Sequence, residues 1–453
     1  MASNKRDIDM LHGTLWDKIF IFALPLAFTG VMQQLFNTAD VVVLGRFVSS
    51  EAMAAVGNNV PVIGLIVSLF MGLALGANVV VARFIGMGRP EEANTAVHTA
   101  LTQAVKYGLA TLALGEALAG PFTSLLGVPA SVAAYSETYL RVLLLGLPFV
   151  AVYNFLAAIY RSTGDTRTPL YALIAGSLFN IAGNLFFVLA LGLDVGGVAL
   201  ATVLANLLAA SILYVKLTKV EGPLRIERRK LFSSDRRSAR AIFRIGMPAA
   251  VQSMVFSLSN LVIQSAINSL GPDAMAGSVA GFTIEINIYC FINAFGLSAT
   301  TFVSQNYGAG NLERCRRATW VSMLLNFAVT FLLIGVVLAA GRELLSLFTT
   351  SEAVIALGFV RILYVVTLEP VNVIMETVSD AMRGYGYSLP PAVITLVLIC
   401  SIRVIWVYTA FAASPTFETL MTVYPISWIA TTVALCALYW HHQKKILPRK
   451  AAL

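Results

Sequence analysis

Long apolar runs, broken by short stretches of charge, glycine and proline, set the pattern of this chain. Twelve such runs lie at 16–44, 53–82, 95–119, 133–160, 168–191, 195–217, 242–269, 275–305, 317–340, 354–382, 389–412 and 417–440. A helix that crosses the hydrocarbon core of a bilayer needs roughly 20 apolar residues, and the runs meet that length. The longest break, 218–241, is basic, with Arg225, Arg228, Arg229, Lys230, Arg236, Arg237 and Arg240, and no soluble domain separates the runs. The pattern predicts an all-α polytopic membrane protein with twelve transmembrane helices.

The pattern also repeats. Shifted by 222 residues, Ala52-Met53-Ala54 falls on Ala274-Met275-Ala276, and Gly86-Met87-Gly88 on Gly308-Ala309-Gly310. The same shift maps Glu91 on Glu313, Pro148 on Pro370, Arg161 on Arg383, Gly164 on Gly386 and Pro169 on Pro391. With one residue more, Pro25 meets Pro248 and Asn37 meets Asn260. Each half holds six runs, an even number, so both halves enter the membrane in the same sense. Two six-helix bundles related by a pseudo-two-fold axis along the membrane normal are therefore expected. Secondary transporters built from such repeats bind substrate between the halves. The expected division is a first bundle at 1–217, a basic cytoplasmic linker at 218–241, and a second bundle with a basic tail at 242–453.

Composition agrees: 58% of residues are hydrophobic and 12% charged, against about 45–50% and about 25% in soluble domains. The net charge of +8 sits in short loops, which argues for membrane lipids and against nucleic acid as partners. Lys and Arg, counted by side, put 25 with the termini and only Arg46 and Arg342 opposite. The positive-inside rule then places both termini in the cytoplasm. Cys290, Cys315, Cys400 and Cys436 form no CxxC pair and read as small core residues. His12, His98, His441 and His442 lack metal-ligand spacing, and no GxxxxGK[ST] loop is present to bind ATP. Neither an enzyme nor a cofactor is expected. The first run is too long for a signal-peptide core and lacks a clean cleavage site, so none is expected.

Four sequence pieces carry a resemblance. They are Phe36-Asn37-Thr38-Ala39-Asp40 with Gly45-Arg46-Phe47, and Gln305-Asn306-Tyr307-Gly308-Ala309-Gly310-Asn311. The others are Arg383-Gly384-Tyr385-Gly386-Tyr387-Ser388-Leu389-Pro390-Pro391 and Val423-Tyr424-Pro425-Ile426-Ser427-Trp428. With these, nearly the whole chain resembles the multidrug and toxic compound extrusion (MATE) transporters of bacteria. The resemblance implies a twelve-helix duplicated fold, and export of bulky cationic compounds coupled to inward movement of H⁺ or Na⁺. It also implies a cation-linked aspartate in the first helix, at the position of Asp40.

Asp40 stands out on its own terms as well. It is the only charge between Lys18 and Arg46, and a carboxylate within a span costs about 2.5–3.5 kcal/mol on insertion scales. Candidate partners for a proton network or a Na⁺ ion are Asn154, Asn180, Asn184 and Thr202, with Asn180 and Asn184 four apart on one helix face. The family often carries an acid where this chain has Asn184, which leaves Asp40 as the sole carboxylate expected at the site. At equivalent positions the second half has Ile263 for Asp40, Ile402 for Asn180 and Trp406 for Asn184, but Glu376 for Asn154. It also carries Glu285, Glu369, Asp380 and Arg403 within its runs. Ionisable groups at membrane depth face inward and pair, so Arg403 is expected in a structural ion pair with Glu376. Gln34, Glu285 and Glu376 are the candidate substrate contacts. Lys106, Arg141 and Arg361 are read as reaching toward an interface, and Arg161 and Arg383 as loop anchors. Pro25 and Pro248 each remove a backbone hydrogen bond, which makes Pro25 the candidate hinge.

With the resemblance, the expectation is a monomeric antiporter of the bacterial cytoplasmic membrane that exports cationic amphiphiles in exchange for H⁺ or Na⁺. A flippase for a lipid-linked precursor is the alternative. It would need a strongly cationic central cavity to hold pyrophosphate.

Overall fold

The computed structural model describes residues 8–125 and 130–447, which are helical almost throughout and contain no strand. The helices are α1 (Trp16–Phe47), α2 (Ser50–Gly86), α3 (Pro90–Leu125), α4 (Ala130–Leu145), α5 (Leu147–Ser162), α6 (Arg167–Leu185) and α7 (Asp194–Lys219). They continue with α8 (Arg236–Ser269), α9 (Pro272–Gly308), α10 (Leu312–Ala339), α11 (Gly341–Ser346), α12 (Glu352–Val365), α13 (Glu369–Gly384), α14 (Leu389–Trp406), α15 (Phe417–Met421) and α16 (Val423–His441). Ten spans among the described residues are long and apolar enough to cross a membrane. An eleventh, the predicted run 133–160, is the pair α4–α5, bent by 46° at its junction. The run 95–119 lies within α3, a 36-residue helix whose polar first turns and Lys106 and Glu116 dilute its apolar stretch.

The duplication reappears element by element. Helices α2 and α9 are both 37 residues long, and α5 and α13 both 16. After α6 and after α14 the last turn widens into a π-helix, at Phe186–Ala190 and at Val407–Phe411. The turns match too. Gly88 and Gly310 adopt φ of 68° and 76°, and Gly164 and Gly386 adopt 99° and 77°. Only glycine takes that region at no steric cost, so each turn requires its glycine in both halves.

Two compact units emerge, and they do not divide at the linker. One contains Ile8 and the described residues from Thr29 to Ala250, the other Asp9–Phe28 and the described residues from Val251 onward. Helix α1 thus begins in the second unit and ends in the first, and α8 does the reverse. Each passes between units within a turn after its proline, Pro25 or Pro248. Within the first unit, the opening half of α8 lies hard against α2: a Cβ on Gly72 or Gly76 would strike the α8 backbone at Ala250 or Ile242. Small residues at such seams let helix backbones touch, which is how helices associate where water supplies no driving force.

The segment 218–241 is not a free linker. Its ends belong to α7 and α8, and only 220–235 is non-helical apart from a 3-10 turn at Arg228–Lys230. Leu224 and Ile226 are buried in the core of the first unit. The Asn94 amide donates to the Pro223 and Arg225 carbonyls at 3.1 and 2.8 Å, and the Glu227 N–H donates to His98 Nε2 at 3.0 Å. The basic side chains stay outside while the backbone is tied down.

Candidate cation-coupling site

Helices α6 and α7 face each other through a seam of small residues. A Cβ on Gly176 would lie 2.9 Å from the Ala205 carbonyl oxygen, and one on Gly183 would lie 3.1 Å from Ala201 Cβ. Asn180 lies between Gly176 and Gly183 on that helical face, and Asn184 one turn beyond it. Opposite them is Thr202, beside Ala201 and Ala205. The seam is what lets short polar side chains from two helices reach one point.

Asp40 closes the group from α1. Asp40 is 9% exposed, Asn180 5% and Asn184 0%. The Asn184 amide donates to Asp40 Oδ1 at 2.6 Å. Asn180, oriented so that both amide atoms meet complementary groups, donates to the same oxygen at 2.8 Å and accepts from the Thr202 hydroxyl at 3.0 Å. The Thr202 hydroxyl is also 3.3 Å from Asp40 Oδ2 and 3.0 Å from the Val198 carbonyl. It has one proton for these three acceptors. Asn184 Oδ1 is buried with no hydrogen-bond partner among the described residues. The cluster therefore holds more oxygen acceptors than protons, and its hydrogen-bonding partners are neutral. A packed apolar group that includes Val43, Leu44, Tyr139, Val188, Val195 and Val198 lies alongside; Tyr139 was not singled out from sequence, where a tyrosine in an apolar run gives no signal.

Of the other expected coupling residues, Asn154 is not brought in. Its amide donates to the Val150 carbonyl of its own helix at 2.9 Å. Gln34 is half-buried on α1, and its backbone carbonyl accepts from Thr38 at 2.9 Å.

The second unit assembles its charges differently from expectation. Arg403 does not pair with Glu376. It is 0% exposed, donates to Asn260 Oδ1 at 2.6 Å, and lies over the Phe256 and Tyr424 rings at 5.0 and 4.6 Å. Arg361, expected at an interface, is buried instead: its Nε and Nη2 both donate to Glu285 Oε2 at 2.9 Å, and its Nη1 to Ser278 at 3.0 Å. Arg383 is likewise more than a loop anchor, being paired with Asp380 and donating to Gln252 Oε1 at 2.8 Å. Gly296 makes room for that pair, since a Cβ there would strike the Asp380 carboxyl. Glu369 accepts from Asn372 at 2.9 Å. Glu376, half-buried on the same helix, has no hydrogen-bonded partner among the described residues. In the first unit Arg141 pairs with Glu116 and Glu137 at 3.0 and 2.8 Å. A cation within a span signals a nearby acid, and Arg361 and Arg141 carried that signal.

Comparison with known proteins decides the family. The MatE family model matches residues 25–186 and again 248–409, beginning at Pro25 and at Pro248. This chain belongs to the MatE family. The double match is the internal repeat itself, since each half answers separately to one family model. The chain is 28% identical over 403 residues to the probable multidrug resistance protein YoeA of Bacillus subtilis, covering 86% of each. It is 30% identical over 397 residues to the probable multidrug resistance protein NorM of Thermotoga maritima, covering 84% of this chain and 82% of that one. Among solved structures, a MATE in complex with MaL6 superposes with a TM-score of 0.90 at 21% identity, over 97% of this chain and 99% of the other. The MATE fold has twelve helices in two bundles. The protein is an integral membrane transporter and not an enzyme.

Proposed function

We propose that this MATE protein is a cation-coupled efflux antiporter that exports cationic amphiphilic compounds in exchange for H⁺ or Na⁺. The observation that carries the reading is the surplus of acceptors around Asp40. One proton on the carboxylate, or one Na⁺ sharing the oxygens of Asp40, Asn180, Asn184 and Thr202, neutralises the cluster and engages the orphaned Asn184 oxygen. Sodium favours such hard oxygen donors over nitrogen or sulfur. Each charge moving inward gains about 2.3 kcal/mol per 100 mV of membrane potential, which can drive export only if cation and substrate prefer different states of the protein. We place both termini in the cytoplasm and take the protein as a monomer of the bacterial cytoplasmic membrane. Pro25 is the proposed hinge. It lies just before α1 passes between units, so bending there redirects the segment bearing Asp40.

Proteoliposomes with an imposed pH or Na⁺ gradient and a fluorescent organic cation test this. Export should follow one gradient, and exchange indifferent to both would sink the antiporter. Pro25→Ala should slow transport, and an unchanged rate removes the hinge. The flippase reading predicts instead that a pyrophosphate-linked lipid competes with the dye. Glu369 and Glu376 of the second unit, which form no ion pair with an arginine among the described residues, speak for a cationic substrate.

A further inference from the structure

The tied-down segment after α7 leaves its cations in an unusual arrangement. Leu224 and Ile226 point into the core at 5% and 2% exposure, so the alternating Arg225 and Glu227 point outward. The Ile226 N–H donates to the Leu217 carbonyl at 3.1 Å, which folds the segment back on the end of α7. Between them lies a concavity of ≈ 650 Å³ lined by Thr218, Lys219, Arg225, Arg228 and Arg229 together with Ile226 and Glu227. Lys230 donates to Glu227 at 2.9 Å and holds that carboxyl below its usual range, so its charge is already met. Four cations then remain around one hollow at the point where a membrane-crossing helix ends. Three residues after Arg229 in the chain, Phe232 is 79% exposed, and one turn before Lys219 the α7 residue Val215 is 47% exposed. An apolar ring next to clustered cations fits the boundary between acyl chains and headgroups.

We propose that this hollow binds the phosphate-bearing headgroup of an anionic phospholipid. Arginine forks match phosphate oxygens in paired hydrogen bonds. The backbone tethers to Asn94, His98 and Leu217 hold Arg225 in place before the lipid arrives, so little ordering is left to binding. Phe232 supplies the contact with the apolar boundary that a soluble phosphate does not use.

Full-length protein in neutral detergent, titrated with phosphatidylglycerol and read by native mass spectrometry, tests the site. The wild type should retain phosphatidylglycerol in preference to phosphatidylcholine. The Arg225→Gln/Arg228→Gln/Arg229→Gln variant should bind it more weakly, on the order of a hundredfold for three cations at a charged surface. Its unfolding temperature in phosphatidylcholine should match the wild type, because only backbone atoms of these residues hold the segment. Phe232→Ser should lower phosphatidylglycerol retention severalfold. Equal retention by wild type and the arginine variant overturns the proposal. Inorganic pyrophosphate binding as tightly as phosphatidylglycerol also overturns it, by making the hollow a site for soluble phosphate.

Discussion

One repeat has been given two different interiors. In the first unit a single acid of α1 meets two amides and a hydroxyl, with no guanidinium among its hydrogen-bond partners. At the same offsets the second unit places Ile263, Ile402, Trp406 and Tyr424, and its acids lie elsewhere. There Glu285 and Asp380 are matched by Arg361 and Arg383, while Arg403 keeps two buried N–H groups without partners among the described residues. The first unit's cluster is short of protons, while the second unit leaves both donors and acceptors, Arg403 Nη2 and Asp380 Oδ2 among them, without partners among the described residues. A carboxylate held by neutral donors reaches neutrality only by taking up a cation; one held by arginine is already neutralised. On the proposed function, this difference gives cation coupling to the first unit; in the second, two of the acids, Glu285 and Asp380, are paired with arginine.

The largest expected effect comes from removing the acid at the centre of the first unit's cluster. Asp40→Asn should abolish gradient-driven export while leaving dye binding intact, with the unfolding temperature checking that the protein is folded. Coupling retained in that variant ends the contrast. Next in size is the ion pair. Glu285→Gln leaves a buried guanidinium unmatched, and stability in detergent should fall by about 3–5 kcal/mol. Adding Arg361→Met should restore much of it, and purely additive losses in the double variant would mean that the two groups do not act as a pair.

Smaller effects sharpen the first unit. Asn184→Ala removes a hydrogen bond to a charged group, worth about 1.5–3 kcal/mol, and should change the coupling-ion concentration for half-maximal transport by roughly 10–100-fold. The smallest effect is expected at Asn154, whose amide is spent on its own helix. Asn154→Ala should leave that concentration within about threefold, the size of a change below 1 kcal/mol. A larger shift would bring Asn154 back into the site.

Much of this was legible in the chain because it depends on local pattern. Run length predicted the spans, and the recurring offset predicted matched helices and matched glycines. Asn180 and Asn184 could be placed on one face from their spacing alone, and a lone charge in an apolar run drew attention to Asp40. The misplaced residues were those whose side-chain direction or partner is settled only by packing. Asn154 was grouped with Asp40 by its position in the half, but side-chain direction sent its amide back along α5. Arg403 was given Glu376, and the rings of Phe256 and Tyr424 with Asn260 took that place.

The sequence by itself therefore determined the fold class, the duplication and the acid on which coupling is proposed to depend, because periodicity, length and the cost of a charge in lipid are properties of a single segment. Only the tertiary structure decided that Asp40 lies among oxygen acceptors without a base, that Arg361 neutralises Glu285, and that Arg403 meets Asn260 in place of the expected Glu376. Those pairings join residues far apart in the chain, and which helix faces meet is set by where small residues allow close approach. It also decided where the units divide: each of the two proline-bearing helices starts in one packing environment and ends in the other.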